Sequence, residues 1–204
     1  FQPSPKAEEV LSLSTNERLV NELTRFNLEI NLDPLVLESQ CFSTLEKTLN
    51  ELISEVRSLC HEVDADIVLA GILPTIHAWD LRLENMAPKP RYYSLNDTIM
   101  GLKGGLAQYH IRGVDELFFQ HDNIMVEGCN TSFQVHFQVT PENFAHFYNI
   151  AQLVSAPVLA ASANSPVLFG KRLWRETRIA LFQQAVDTRS SNLCLRDMSP
   201  RVHF

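Results

Sequence analysis

The sequence predicts an α+β fold in which helices pack on one face of an antiparallel sheet. Three observations lead there. Residues 23–32 and 128–140 alternate apolar and polar side chains, the pattern of strands with one buried face. Helical periodicity appears at 43–62, from 141 onward and at 172–187, interspersed with those strands. Strands with a single apolar face suit antiparallel pairing, whereas buried parallel strands read as continuous apolar runs.

The elements follow in chain order. Residues 3–9 contain Pro and Glu and read as a connection, and 9–23 have room for a short helix. In 23–32, Phe26, Leu28, Ile30 and Leu32 fall on one face and Arg25, Asn27, Glu29 and Asn31 on the other, before Asp33-Pro34 ends the strand. Ser43 and Glu46 form a capping box ahead of a stripe of Leu45, Leu49, Leu52, Ile53, Val56 and Leu59. The apolar run 66–73, closed by Pro74, reads as a buried strand. Residues 80–107 carry Pro88, Pro90 and three glycines, Gly101, Gly104 and Gly105, and read as a long functional loop with a short helix inside it. Residues 108–120 read as a strand. In 128–140, Cys129, Thr131, Phe133, Val135, Phe137 and Val139 share one face, and Asn130, Ser132, Gln134, His136 and Gln138 the other. Thr140-Pro141-Glu142 then opens a helix through Phe144, Phe147, Ile150 and Leu153, with Pro157 ending or kinking it. On the last helix Trp174 and Phe182 are eight residues apart, a spacing that turns both toward the core.

Composition bounds the function. With 204 residues, 45% hydrophobic and 20% charged, the chain has material for one globular core. A net charge of -7 argues against a broad nucleic-acid surface. The local cluster Lys171, Arg172, Arg175 and Arg178 suits a small anionic ligand instead. No run approaches the roughly 18 apolar residues of a membrane span, and residues 1–10 lack the layout of a signal peptide. Cys41, Cys60, Cys129 and Cys194 show no CxxC spacing, which points to reduced thiols, a cytoplasmic location and no zinc site. Phe1 lies inside an extended segment and residues 200–204 alternate without a stop signal, so 1–204 reads as a single incomplete domain, the central part of a longer chain. The motifs of P-loop ATPases, Rossmann dehydrogenases, α/β hydrolases and zincins do not occur.

The polar strand faces are the candidate site. Asn27, Glu29 and Asn31 on one strand, with Asn130, Ser132, Gln134, His136 and Gln138 on the other, offer amides, a carboxylate and an imidazole where solvated strands carry Lys, Glu and Thr. Such groups hold fixed hydrogen bonds and bind hard cations; the plainer alternatives are a solvated face or one covered by another part of the chain. Glu22 and Glu29 are seven residues apart, so a regular strand would put them on opposite faces, and only a bulge or turn near Thr24 would bring them together. Oxygen ligands suit Mg²⁺, completed by substrate phosphates. Arg91, in Lys89-Pro90-Arg91-Tyr92-Tyr93, and Arg178, on the last helix, offer forks for phosphate or carboxylate, against the alternative of ordinary solvated arginines. Cys129 lies on the apolar face and reads as a buried thiol.

Six segments in order resemble the glutamate–cysteine ligase type 2 family. They are Glu22-Leu-Thr-Arg-Phe-Asn-Leu-Glu29-Ile-Asn-Leu-Asp-Pro34, Gly71-Ile-Leu-Pro74, Pro90-Arg91-Tyr92, Gly128-Cys-Asn-Thr-Ser-Phe-Gln-Val-His136, Ala163-Asn164-Ser165-Pro166 and the stretch from Gly170 to Arg178. They span nearly the whole chain and are most similar to the branch that carries CBS modules. The resemblance implies a glutamine-synthetase-like catalytic fold, of which this chain is part. It implies ATP and Mg²⁺, with glutamate activated at its γ-carboxylate as an acyl phosphate and attacked by a small amine such as that of cysteine, in the context of glutathione biosynthesis. By the same resemblance Glu29 and Glu22 bind the metal, His136, Gln134 and Asn164 bind the cofactor, and Arg91 and Arg178 act on substrate or phosphate. Gln134 stands where the family often has the first histidine of a pair, and the family's opening acidic strand would lie before Phe1. The Gln134 departure motivates a second reading, a non-catalytic regulatory domain that binds a nucleotide or amino acid on the same fold. A structural domain with covered polar faces is the third. A homo-oligomer is compatible with each.

Overall fold

The computed structural model describes residues 1–189; Cys194 and the alternating stretch 200–204 lie outside them. The class is α+β, and each pair of named strands is antiparallel. The strands form three two-stranded pieces rather than one sheet.

The short helix read in 9–23 is α1 (Ala7–Ser12), which begins two residues earlier, inside the predicted connection 3–9, and β1 (Leu19–Asn21) follows it. The predicted strand 23–32 is not continuous: the chain turns at Arg25-Phe26, and β2 (Leu28–Ile30) pairs back on β1, with Val20 opposite Glu29. Thr24, fully buried, bridges to Met86, and the Asn27 amide donates to the Gly128 carbonyl at 2.8 Å. These contacts at the turn compete with continuation of the strand. Gly128 meets the same turn so closely that a Cβ on it would sit 2.2 Å from the Thr24 Cγ2. Gly128→Ala is therefore expected to destabilise the protein by about 1–3 kcal/mol through overpacking, read as a lower denaturant midpoint; an unchanged midpoint would show that the turn yields freely.

α2 (Cys41–Glu62) starts two residues before Ser43, so the Ser43/Glu46 box does not cap it. Its buried residues lie one turn apart: Leu52 and Val56 from the predicted stripe, and Cys60, which was not part of it. Val56 and Cys60 pack with Val10 and Leu19 in a small core. Residues 66–73 are not a strand, and Val68 and Leu69 are exposed. Among the described residues no strand pairs with them; the Ala70 and Gly71 carbonyls instead accept from Thr131. Within the predicted loop, α3 (Pro90–Lys103) is a full helix, with Pro90 in its first turn and Gly104 closing it at φ 77°. Only glycine adopts that left-handed value freely.

The reading of 108–120 as one strand gives way to a hairpin. β3 (Ala107–Arg112) pairs with β4 (Glu116–His121) from Ala107 opposite His121 to Arg112 opposite Glu116. Ala107, Tyr109 and Ile111 point into the main core, where Tyr109 stacks on Phe119 with ring centroids 4.6 Å apart. The Gln184 amide accepts from the His110 N–H at 2.8 Å and donates to the His110 carbonyl at 3.1 Å, closing the outer edge of β3 as a strand would. A 3-10 segment, Ile124–Cys129, then runs buried beneath the first hairpin.

Residues 130–140 are extended and pair with no strand among the described residues, against the prediction of a strand with one buried face: Phe133 is 61% exposed, and Val135 and Phe137 are also exposed. α4 (Pro141–Ser162) has Thr140 as N-cap and Pro141 in its first turn as read, but passes through Pro157 and buries no residue. β5 (Val167–Leu168) and β6 (Lys171–Arg172) form the last hairpin. α5 (Thr177–Val186) packs on β3 and on the 124–129 segment through Ala180, Leu181 and Ala185. Trp174 precedes the helix and is 44% exposed, its indole N–H donating to the Arg112 carbonyl, while Phe182 is half-buried. The pair does not pack the core together.

Candidate active site

The hairpin β1–β2 supplies the turn near Thr24 that convergence of Glu22 and Glu29 requires. Glu29 faces Val20 across the pair, and Glu22 lies just past the end of β1, where its Oε2 accepts from the Leu23 backbone N–H at 2.7 Å. Both carboxylates act on the guanidinium of Arg91, on the first turn of α3. The Arg91 Nη2 donates to the Tyr92 hydroxyl at 2.6 Å, and the guanidinium sits 4.6 Å from the Tyr92 ring centroid. Arg91 is held above its ordinary range, first by that hydroxyl and then by the two glutamates. Glu22 and Glu29, from one predicted segment, and Arg91, from another, thus lie within electrostatic reach.

Glu127, on the 3-10 segment, joins them from below. Burial, and then the charge of Glu22, push its carboxyl from 4.5 up to about 7. Its proton is held more tightly in the folded chain than in the unfolded one. The stability it confers is therefore full below about pH 4.5 and is lost as the pH rises through 7. The melting temperature of Glu127→Gln, relative to wild type, should accordingly be higher at pH 8 than at pH 5, and a gap independent of pH would place Glu127 in solvent. Cys129, beside it, is pushed far above its ordinary value by burial, which keeps it a thiol as read from the sequence. Cys41, Cys60 and Cys129 are all free.

A second group gathers Asn164 and Arg178. Arg178 donates to both oxygens of Glu176, from Nε at 2.5 Å and Nη2 at 2.8 Å, and through Nη1 to the Thr131 carbonyl. Glu176 also accepts from the Ser165 hydroxyl and from the Asn164 backbone N–H at 3.3 Å. Its carboxyl is held below the ordinary range, chiefly by Arg178, against the opposing effect of burial. A Cβ on Gly71 would lie 2.4 Å from the Asn164 Oδ1 and 2.8 Å from the Arg178 Nε, so a side chain there would displace both ends from this arrangement. The basic cluster does not gather on one ligand: Arg172 is paired with Asp115 at 3.2 Å.

Gln134 and His136 form a third group on the exposed extended segment. The His136 Nε2 lies 3.3 Å from the Gln134 Oε1, and the Gln134 amide donates to the Ser132 hydroxyl at 3.2 Å. This ladder begins next to Thr131, the residue that accepts from Arg178. Beside these groups, the Asn21 Nδ2 and both polar atoms of Asn130 are buried without a hydrogen-bond partner among the described residues. Sequence reasoning missed Glu127 and Glu176. Glu176 had one signal, an acid two residues before an arginine already singled out; Glu127 had none.

The model of glutamate–cysteine ligase family 2 matches residues 3–199. The chain belongs to the glutamate–cysteine ligase family 2. No curated protein and no solved structure matches it. Membership makes the chain a relative of carboxylate–amine ligases, enzymes that join an amino acid to an amine. It also sets the question of the metal. Among the described residues, no group of three or more His, Cys, Asp or Glu is placed to hold an ion alone. The candidate site nonetheless fits Mg²⁺ in its donor chemistry: Glu22 and Glu29 are hard oxygen donors that both act on Arg91, and Mg²⁺ commonly takes one or two carboxylates and completes its shell with phosphates and water. Among the described residues no helix is long and apolar enough to cross a membrane.

Proposed function

We propose that this chain carries the active-site core of an ATP-dependent carboxylate–amine ligase that acts on glutamate and a small amine such as cysteine. The observation that carries the reading is that Glu22 and Glu29 both act on Arg91, in a chain of this family. Glu29, with Glu22, would hold Mg²⁺, which when bound neutralises phosphate charge. Arg91 faces the same space and orients a carboxylate or phosphate of the substrate. Arg178 meets phosphate oxygens with the donors that Glu176 leaves available, and Gln134, His136 and Asn164 line the nucleotide. In the reaction a γ-carboxylate oxygen of glutamate bonds to the terminal phosphorus of ATP as the bond to ADP breaks. The amine nitrogen then bonds to the acyl carbon, phosphate departs, and the amine gives up a proton. Fixed cations near the transferred group serve this chemistry because phosphoryl transfer depends on positioning and charge neutralisation. The free thiols favour a reducing compartment, the cytoplasm.

ADP release by the full-length protein, with Mg²⁺-ATP, glutamate and a panel of amines, tests the proposal. Release that needs both glutamate and one amine is the expected result and names the acceptor. Nucleotide binding without release would select the regulatory reading, for which the position of Gln134 and the occupied fork of Arg178 are the supporting observations.

A further inference from the structure

We propose that Glu176 is a positioning residue that aims Arg178 at the phosphates of the nucleotide. The inference rests on the ligase reading for its substrate and on the geometry around Glu176 for its content. Glu176 lies just ahead of α5 and is buried. Each of its oxygens accepts twice: Oε1 from the Ser165 hydroxyl and the Arg178 Nε, Oε2 from the Asn164 N–H and the Arg178 Nη2. A carboxylate so saturated has no freedom to rotate, and it grips the guanidinium side-on. The Thr131 carbonyl holds Nη1 from another direction. A guanidinium has five N–H donors. The three contacts to Glu176 and Thr131 leave one on Nη1 and one on Nη2, a pair suited to two oxygens of one phosphate.

A purely structural ion pair is the competing explanation, and two features weigh against it. The Arg178 side chain keeps 21% of its surface while Glu176 keeps only 7%. The charge is thus buried on the acid side and presented on the basic side. Gly71 leaves no Cβ where one would press on the Arg178 Nε and the Asn164 Oδ1, both from residues to which the family resemblance gives a ligand role. The acid, the arginine, the Asn164 amide and the Thr131 carbonyl form one assembly at the base of the Ser132–Gln134–His136 ladder.

Glu176→Gln separates the two explanations by the sign of its effect. Inorganic tripolyphosphate, titrated calorimetrically into the full-length protein without metal, is the probe. A carboxylate that only neutralises Arg178 would weaken the polyanion's binding in the wild type, so its removal would tighten binding. A carboxylate that aims Arg178 would, on removal, weaken binding, by about tenfold for a lost bidentate contact. In an active enzyme the same variant should lower kcat about a hundredfold, the scale of a misplaced catalytic group. Ser165→Ala keeps the charge and removes one restraint, and should weaken tripolyphosphate binding severalfold; it serves where Glu176→Gln does not fold. Unchanged or tighter binding in the variant that folds, no binding by the wild type, or an unchanged kcat overturns the proposal. A wild-type protein that binds tripolyphosphate through this assembly but never releases ADP would sink the ligase reading alone.

Discussion

Glu29→Gln is expected to abolish metal-dependent ADP release, a loss on the order of a hundredfold or more, while the protein melts close to the wild-type temperature. The two halves of that expectation have different sources. Glu29 sits in β2 with its side chain exposed, opposite Val20, so nothing in the core depends on it. Substitutions at such positions change stability by about 0.5 kcal/mol or less. The amide is nearly the same size as the acid but carries no charge. It would neither hold Mg²⁺ strongly nor balance Arg91, on which Glu29 acts. ADP release and a thermal melt on the same preparation check both halves. Turnover equal to wild type would remove Glu29 from the mechanism, and a collapsed melt would give it a structural duty that its exposure does not suggest.

Leu181→Ala should have the reverse profile, a loss of about 2–5 kcal/mol in stability with the chemistry of each folded molecule retained. Leu181 is 0% exposed on α5, between Ala180 and Ala185, and faces the core formed by Tyr109, Met125 and Leu168. Truncation leaves a void that small neighbours on its own helix cannot fill. A domain of this size loses about 2–4 °C per kcal/mol, so a shift of roughly 5–15 °C is expected in a thermal scan. A shift under about 2 °C would show that α5 is not anchored through this residue.

The sequence was most legible where an element's own chemistry decides it. The stripe of Leu52 and Val56 marked α2, and Thr140-Pro141 marked the start of α4. Strands were harder because alternation names two faces and says nothing about the partner. Residues 130–140 alternate well and pair with no strand among the described residues, and 66–73 are apolar yet give their carbonyls to Thr131. In the first hairpin the deciding facts were the burial of Thr24 and the reach of Asn27 to Gly128, both made by distant chain. α3 was hidden by its own punctuation: Pro90 and Gly104 suggest a loop, but a proline at the start and a glycine after the end also bracket a helix. For the site, residue types together with the family resemblance put forward Glu22, Glu29, Arg91 and Arg178. Their grouping, and the supporting acids Glu127 and Glu176, required tertiary contacts.

The hydrogen bond from Asn27 to Gly128 spans 101 positions of chain. The turn between β1 and β2 is local and can form in microseconds, but two strands of three residues are marginal alone. Bringing the far partner alongside closes a loop whose entropy cost is about 4 kcal/mol from length alone. The hairpin that carries Glu29 is therefore fixed by the same closure that brings Glu127 to Glu22. During synthesis on the ribosome the acidic segment emerges well before the residues that secure it. The acidic face and its surroundings are completed together, by the chain that arrives later.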